Sequence, residues 1–437
     1  MSLPRVLIIG CPFCQYIGGG ITMTNLFSEW DKDKLAVATI GHFLTLKINT
    51  SICDNYYQLG EKERKLKFPF NFLQKKFKSG PVTPAASTGL PAAAPAAPGL
   101  RHKFVNKIFY PTLEYLGLFH NISKVGISEE FRAWVNNYNP DIIYAQAYDP
   151  EGVRFLREVQ QHFKKPMVFH MMDDWPAPSI KNGLFKSFWS KKIDRDFRLL
   201  LDNSSLLLSI GEDMSEEYKR RYGKEFIPFH NPINIDFWKK SQKNEYTLNE
   251  SPYLLYAGRI GLGIDSSLKL IAEAVEKINT ELHLSLKFML RSDEQPGWIN
   301  EYPSARFEHF VAYEEVPRML SEADILMLPY DFSAESIRFI KYSMPTKASE
   351  YMMSGTPVIL FAPPDTAVVN YAKKYDCFEI STENSVAALS ASIKNIITSL
   401  PRRRQLSARA TSIAEQKHNA LLITSNFRKA LSSIRQN

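Results

Sequence analysis

The chain has 437 residues, of which 44% are hydrophobic, 54 are basic and 46 are acidic. This length predicts two domains of ordinary size rather than one unusually large domain. The net charge of +8 is too small to indicate a nucleic-acid-binding protein, and it suits an anionic ligand or an anionic membrane surface equally well. Four scattered cysteines favour a reducing compartment over a disulfide framework. No run approaches the roughly 18 apolar residues of a membrane-spanning helix, so any membrane contact is expected to be peripheral.

Short apolar runs that end at turns recur along the chain and predict the buried strands of parallel sheets. These runs are residues 6–9, 141–145, 166–170, 205–210, 253–257, 284–290, 325–328 and 357–361. Segments of helical length separate many of them, as at 151–163, 266–278 and 345–354. The alternation predicts an α/β protein with two doubly wound domains, joined near residues 235–250.

One stretch, 61–103, interrupts the alternation. Residues 61–78 contain seven Lys or Arg and four Phe, whereas residues 81–100 are uncharged, with five Pro and seven Ala. The uncharged part cannot bury enough surface to fold alone and is predicted to be a flexible insert. Two interpretations remain for the basic part. It is either a solvated loop with a few phenylalanines anchored in the core, or, together with 101–110, a segment that contacts an anionic membrane surface.

The segment 343–359 combines a predicted helix start with charged residues. Ser343 is predicted to cap the helix, Pro345 to lie in its first turn and Gly355 to end it. The free N–H groups of such a helix start accept an anion such as a diphosphate, and Lys347 lies close enough to neutralise it. Glu350, one turn further on, is able to accept hydrogen bonds from ribose hydroxyls. The alternative is an ordinary capped helix with a glutamate on its surface.

The N-terminal half contributes weaker signals. Gly18-Gly19-Gly20 follows the first predicted strand and is expected to form a loop that approaches a ligand closely, or simply a flexible turn. His170 and Asp174 follow another predicted strand, where a side chain can contact a substrate or cap a helix. Cys11 and Cys14 form a C-x-x-C pair, which we interpret as two ordinary thiols because no second cysteine pair accompanies it.

The stretch from Lys347 to Ile359 closely resembles the donor-binding stretch of the retaining glycosyltransferase family 1 group, which has the GT-B fold. Gly258-Arg259 resembles the Gly-Arg element of the same family. Residues 316–330, 209–218 and 231–237 resemble further family elements in the family's order. The resemblance covers nearly the whole chain, and it is strongest in the C-terminal half.

This resemblance implies a GT-B architecture, in which two Rossmann-like domains face a central cleft. An acceptor-side domain is expected at 1–235, with the insert at 61–103, and a nucleotide-sugar-binding domain at 250–410. The helix at 411–437 is expected to pack back toward the first domain. The implied reaction moves a sugar from a nucleotide-sugar donor to a glycan or lipid-linked acceptor in polysaccharide or cell-envelope synthesis, with retention and without a metal or other cofactor. The expected location is the cytoplasm, with peripheral contact to the inner face of the membrane.

The resemblance also assigns roles to individual residues. Arg259 is expected to clamp the donor diphosphate, and Glu350 to hold the ribose. His170 is expected to contact the donor sugar, and Asp173 or Asp174 to orient the acceptor hydroxyl or take its proton. The expected catalytic residues are therefore His170, Asp174 and Arg259, and the expected donor-binding residues are Gly18, Gly19, Gly20, Arg259, Ser343, Thr346, Lys347 and Glu350.

Two positions depart from the family pattern. Many members have a glutamate where this chain has Tyr342, and many have a lysine and glycine soon after the arginine, which the loop after Arg259 lacks. These departures leave other functions open. One is a catalytically silent GT-B subunit that scaffolds an envelope-synthesis complex, and the others are a nucleotide-sugar epimerase and an inverting transferase.

Overall fold

The computed structural model describes residues 3–14, 17–45, 48–68, 70–72, 74, 76–83, 105–116, 122–176, 184–261 and 264–434. These residues form two compact units. Unit 1 consists of residues up to Phe229 together with those from Thr424 onward, and unit 2 extends from His230 to Ile423. The Ala/Pro-rich part of the predicted insert, 84–104, lies outside the described residues. Within the described ranges, no helix combines the length and the apolar character needed to cross a membrane.

Unit 1 is built on an eight-stranded sheet with a separate two-stranded ribbon. The strands of the unit are β1 (Val6–Ile9), β2 (Leu35–Ile40), β3 (Tyr56–Leu59), β4 (Arg64–Leu66), β5 (Gly80–Val82), β6 (Ser123–Val125), β7 (Ile142–Ala145), β8 (Met167–Met171), β9 (Leu206–Ser209) and β10 (Ile227–Pro228). The main sheet has the order β10-β9-β8-β7-β1-β2-β3-β5 and is parallel except for the antiparallel pair β3–β5. The two-stranded ribbon is the antiparallel pair β4–β6. β1 and β7 at the centre are fully buried, which explains their unbroken apolar sequences.

Helices connect the strands of unit 1. They are α1 (Gly18–Leu26), α2 (Tyr110–Tyr115), α3 (Glu129–Tyr138), α4 (Pro150–Phe163), α5 (Lys186–Asp202) and α6 (Glu212–Tyr222). Local sequence determines several of their ends. Ser128 and Asp149 cap α3 and α4 by accepting hydrogen bonds from the first turn, and Gly223 ends α6 in the left-handed conformation.

Unit 2 is a doubly wound six-stranded parallel sheet. Its strands are β11 (Tyr253–Ala257), β12 (Lys287–Ser292), β13 (Ala305–His309), β14 (Ile325–Pro329), β15 (Val358–Phe361) and β16 (Glu379–Ser381). Its helices are α7 (Ile235–Lys239), α8 (Ile264–Leu282), α9 (Val316–Glu322), α10 (Ala334–Ile340), α11 (Thr346–Ser354), α12 (Ala367–Tyr375), α13 (Val386–Thr398) and α14 (Leu400–Lys417). The strand order β13-β12-β11-β14-β15-β16 reverses direction between β11 and β14. Open α/β sheets bind ligands beyond the carboxyl ends of their strands at such a reversal.

The predicted α/β alternation with parallel sheets is confirmed, and each of the eight predicted strands is present. The division between the units, at Phe229 and His230, differs from the predicted junction at 235–250. The reason is that Trp238, in the expected linker region, is buried in the core of unit 2. The last helix is α15 (Ala420–Ser433). Its first residues belong to unit 2, and its residues from Thr424 onward belong to unit 1.

Phe427 anchors this last helix in unit 1. Its side chain is fully buried, and its ring lies 5.1 Å from that of Phe27 and 5.3 Å from that of Phe229. Edge-on contacts of this kind add to the free energy of apolar burial. The final residues therefore contribute to the core of unit 1.

We expect the substitution Phe427→Ala to lower the free energy of unfolding by about 3–5 kcal/mol, because it leaves a cavity among these rings. Denaturant unfolding measures the change. The matched control is Leu421→Ala, whose side chain on the same helix is 67% exposed, and it should change stability by less than about 0.5 kcal/mol. Equal stability of the two variants would contradict the described position of the helix.

Candidate functional site

The candidate site of unit 2 lies where β11 ends. β11 is buried between β12 and β14, so the residues that follow it, Gly258 and Arg259, lie at the reversal of strand order. The Arg259 side chain is exposed, and its guanidinium makes no hydrogen bond or ion pair with any described residue. A cation is therefore available to a ligand at this edge of the sheet.

α11 begins next to this strand end. Its N-cap is Pro345, and no side chain caps the helix. The predicted cap was wrong, because the Ser343 hydroxyl instead donates to the carbonyl of Phe339 at 3.0 Å, at the end of α10. Within the described part of the chain, no hydrogen bond uses the backbone N–H groups of Thr346 and Lys347. The start of α11 therefore has the donors and the positive dipole end that bind an anion.

Lys347 extends from the first turn of α11 across the end of β11. Its Nζ donates to the Tyr256 hydroxyl at 3.3 Å and lies 4.6 Å from the centre of the Tyr256 ring. The Tyr256 hydroxyl in turn donates to the carbonyl of Arg259 at 2.7 Å. A Cβ at Gly258 would lie 1.6 Å from Nζ, so only glycine leaves room for the lysine at this position. Sequence analysis found Lys347 and Arg259 but not Tyr256, which sets the path of the lysine.

The electrostatics of Lys347 reflect burial and two charged neighbours. Burial lowers the pKa of its ammonium to about 8, while nearby Glu350 favours the charged form and nearby Arg259 disfavours it. A bound anion would lie next to both cations and relieve their mutual repulsion. The group of Lys347, Arg259 and the start of α11 is therefore suited to a phosphate or diphosphate.

Glu350 lies one turn further along α11. Burial raises the pKa of its carboxyl to about 7, and Lys347 opposes the rise. Its carboxylate accepts no hydrogen bond from any described residue. A half-buried carboxylate with unused acceptor oxygens is well suited to paired hydroxyl groups, which supply the hydrogen bonds it lacks.

Tyr351 fixes α11 to the strand. Its hydroxyl is buried, donates to the carbonyl of Ala257 at 3.3 Å and accepts from the amide of the same residue at 3.2 Å. Sequence analysis did not single out Tyr351. A tyrosine among the apolar residues of a helix face is the signal that could have identified it, because the hydroxyl of a buried tyrosine needs a hydrogen-bond partner.

The glycine triplet of unit 1 forms a helix start rather than the predicted loop. Gly18, Gly19 and Gly20 make the first turn of α1. A Cβ at Gly20 would lie 2.3 Å from the Cys14 sulfur and 3.1 Å from the carbonyl of Pro12, so close packing explains this glycine. Gly18 is exposed, with its backbone available to a ligand. Cys11 and Cys14 are both buried and form no disulfide bond, as expected of two ordinary thiols.

His170 lies inside the sheet of unit 1. Only 1% of its surface is exposed, and its Nδ1 hydrogen-bonds the buried Tyr144 hydroxyl. Burial lowers the pKa of the imidazole to about 3, so the ring is neutral at physiological pH. The structure gives no support to the predicted contact of this enclosed side chain with a sugar.

Asp174 is occupied by a buried ion pair. Its two carboxylate oxygens accept from the Arg221 guanidinium at 2.8 and 3.0 Å, and one of them also accepts from the Tyr218 hydroxyl at 2.8 Å. These bonds tie the end of β8 to α6. Because both carboxylate oxygens already accept hydrogen bonds within the fold, the geometry is that of a structural carboxylate. The predicted catalytic role of Asp174 is therefore not supported.

No cluster of three or more histidine, cysteine, aspartate or glutamate side chains is arranged for a metal ion within the residues that the structure describes. The metal-free reaction expected from the sequence stays a prediction.

Residues 251–399 match the family model described as glycosyl transferases group 1. A search of curated proteins finds no significant relative. Among solved structures, sucrose-phosphate synthase from Thermosynechococcus elongatus superposes with a TM-score of 0.62 at 13% identity, covering 98% of this chain and 99% of the other. Anabaena HepE, solved in complex with UDP and glucose, gives 0.59 at 13% identity and covers 98% and 100%. WaaG, a glycosyltransferase involved in lipopolysaccharide biosynthesis, gives 0.54 at 12% identity and covers 98% and 99%.

These findings confirm two predictions. The chain has the GT-B fold, and it is a glycosyltransferase whose residues 251–399 match the model of glycosyl transferases group 1. The matched region contains Gly258, Arg259 and the whole of α11, so the candidate site lies inside the domain that the family model describes.

We expect Asp174→Asn to act on stability rather than on chemistry. The substitution removes the charge that Asp174 offers to Arg221, which keeps its ion pair with Glu217, and should lower the free energy of unfolding by roughly 1–3 kcal/mol because buried hydrogen bonds are weakened. Denaturant unfolding and specific activity per folded molecule are measured together, with Glu216→Gln, at an exposed carboxylate of α6, as control. A large loss of activity at unchanged stability would instead restore Asp174 as a catalytic residue.

Proposed function

We propose that this glycosyltransferase takes its sugar from a nucleotide-sugar donor that binds unit 2 at the end of β11. The diphosphate is held by Arg259, Lys347 and the N–H groups at the start of α11, and the ribose hydroxyls by Glu350. The observation that carries this proposal is the position of Lys347 across Gly258. The exposed guanidinium of Arg259 and the N–H groups that begin α11 lie beside it and make no hydrogen bond or ion pair with a described residue. The complexes of HepE with UDP and with UDP-glucose support a donor of this kind.

The proposed reaction transfers the sugar with retention and without a metal. The acceptor hydroxyl attacks the anomeric carbon from the face that the nucleoside diphosphate leaves, the C–O bond to the diphosphate breaks, and the hydroxyl proton passes to an oxygen of the leaving diphosphate. The negative charge that develops on the leaving diphosphate is stabilised by the two cations and the helix dipole, which replace a metal ion. Retention rests on the resemblance of Lys347–Ile359 to the retaining family.

We further propose a glycan or lipid-linked acceptor in polysaccharide or cell-envelope synthesis. WaaG, which shares the fold, acts in lipopolysaccharide biosynthesis, and this supports an acceptor of that class. A cytoplasmic location is supported by four cysteines that form no disulfide bond, as expected in a reducing compartment.

A second candidate function is a GT-B subunit that binds a donor but does not turn it over. The observation that favours it is the enclosure of His170 and Asp174, which leaves both predicted catalytic side chains of unit 1 engaged within the fold. Tyr342 in place of the family glutamate points the same way. Donor binding with no transfer to any acceptor, and no release of free sugar, would favour this candidate. Conversion of the donor alone to an isomeric nucleotide sugar would identify an epimerase.

The donor site is tested by thermal shift with UDP-, GDP-, dTDP- and CMP-sugars in the presence of EDTA. We expect one nucleotide to stabilise the protein selectively, by about 2.7 kcal/mol at 100 times its dissociation constant. Arg259→Ala should weaken that binding roughly tenfold or more, because a charge-assisted hydrogen bond is lost, and should raise the barrier to transfer by roughly 2–4 kcal/mol.

Matched controls make this test specific. Lys373→Ala removes an exposed cation of α12 and should leave binding unchanged. Gly258→Ala should displace Lys347 and weaken binding, whereas Gly261→Ala adds a Cβ that meets no atom within 4 Å. Absence of any shift with the wild-type protein, or unaltered binding by Arg259→Ala, would refute the donor site.

The pKa of Lys347 predicts how donor binding depends on pH. The ammonium is charged below its pKa of about 8, so affinity for UDP should fall as the pH rises from 7.5 to 9.5. Lys347→Arg keeps its charge throughout this range and should bind UDP with little pH dependence. Calorimetric titration at several pH values measures both proteins, and a parallel decline in the two would show that another group is responsible.

A further inference from the structure

Exposed apolar side chains are concentrated in one part of unit 1. Among the described residues, seven of the fifteen exposed large hydrophobic side chains lie in three segments, 64–72, 105–116 and 184–188. Phe68 is 79% exposed and Phe188 is 61% exposed. The seven side chains, which we call the aromatic face, are Phe68, Phe72, Ile108, Tyr115, Leu184, Phe185 and Phe188.

The three segments adjoin one another. The rings of Phe68 and Phe72 are 6.0 Å apart, and the amide of Leu184 donates to the carbonyl of Tyr115 at 2.9 Å. The segment 64–72 contacts 105–116 through Phe70 and Phe109, whose rings are 5.7 Å apart. The three segments that carry the exposed side chains are therefore neighbours in the fold, although 184–188 is far from the other segments in sequence.

A small separate core supports this region. Leu66, Leu113 and Ile122 are buried together, and Phe70 and Phe109 pack against them. This cluster distinguishes two groups of phenylalanines in the basic stretch. Phe70 is an anchor, as a solvated loop flank would require, whereas most of the surface of Phe68 and Phe72 is exposed.

The charged residues of these segments are predominantly basic. Lys65, Lys67, Lys107 and Lys186 are exposed, and none of them forms an ion pair with a described residue. Across 64–72, 105–116 and 184–192, the sequence has seven basic residues and a single acidic one, Glu114. Of the seven, Arg64 is paired with Asp149 and Glu151. The region therefore combines outward-pointing rings with uncompensated positive charge, and its complement is an apolar layer bordered by negative charge.

We propose that the aromatic face and its lysines dock the protein on the anionic surface of a lipid bilayer. The rings enter the boundary between headgroups and acyl chains, and the lysines contact the phosphate and carboxylate groups of the lipids. A membrane surface at 62–78 and 101–110 was one of the two interpretations that the sequence left open, and residues 101–104 of it lie outside the described residues. The structure adds the start of α5, where Leu184, Phe185 and Phe188 lie. This proposal uses residues of unit 1 alone and does not depend on the donor site.

The test is flotation of the full-length protein with vesicles of phosphatidylcholine alone and with vesicles containing about one-third phosphatidylserine. We expect the protein to float with the anionic vesicles only, and to dissociate as salt screens the lysines. The variant Lys65→Glu/Lys67→Glu/Lys107→Glu should lose binding by at least about fivefold for each lysine replaced. Phe68→Ser/Phe72→Ser/Phe188→Ser should reduce the bound fraction and make the remaining binding wholly salt-sensitive.

Matched controls come from unit 2. Lys373→Glu/Lys374→Glu changes exposed charge, and Phe310→Ser/Leu421→Ser removes exposed apolar side chains, so both should float like the wild type. Thermal stability and UDP binding are measured for every variant, so that a folding defect or a failed donor site is recognised separately. Unchanged flotation of the two face variants, or equal losses in the controls, would overturn the proposal. A dimer that the aromatic variant converts to a monomer, with no vesicle binding by the wild type, would overturn it in favour of a second copy of the chain.

Discussion

A single tyrosine hydroxyl determines where the candidate donor site forms. Tyr351 exchanges hydrogen bonds with both backbone groups of Ala257, which fixes α11 against the end of β11. Lys347 lies one turn before Tyr351 on the same helix, so it is directed over the chain that leaves the strand. Glu350 follows Lys347 by three residues. The relative positions of these three side chains are thus set by one buried phenol and by helical geometry.

The site brings two cations together, and the fold relieves their repulsion only in part. Burial is the main cause that lowers the pKa of Lys347, nearby Glu350 opposes it, and nearby Arg259 adds to it. Glu350 is near but forms no ion pair with a described residue. Groups whose pKa values are displaced by burial and neighbouring charge are typical of functional sites, where the ligand supplies the missing partner. A diphosphate would provide that partner.

In unit 1, by contrast, the buried carboxylates of Asp174 and Glu63 accept hydrogen bonds from other side chains and from the backbone. Asp174 is satisfied by Arg221 and Tyr218. Glu63, which is 1% exposed, accepts from the Tyr57 hydroxyl at 3.0 Å and from the amide of Gly60 at 2.9 Å, and the hydroxyls of two serines bond it as well. A buried charge that is fully hydrogen-bonded stabilises a particular arrangement of the chain and has no capacity left for a ligand. Asp174 therefore belongs with the framework of unit 1 rather than with its chemistry.

The sequence by itself determined the α/β class, the eight buried strands and the charged residues of the donor site, because strand runs and the motif around Lys347 and Glu350 are local patterns. The tertiary structure decided the rest. It made Pro345, and not Ser343, the N-cap of α11, and it buried His170 in the sheet. It also gave Tyr351 its partner on β11 and brought 184–188 beside 105–116. Burial and the choice of hydrogen-bond partner depend on residues that are distant in the chain, and spacing along the sequence carries no information about which distant residues meet.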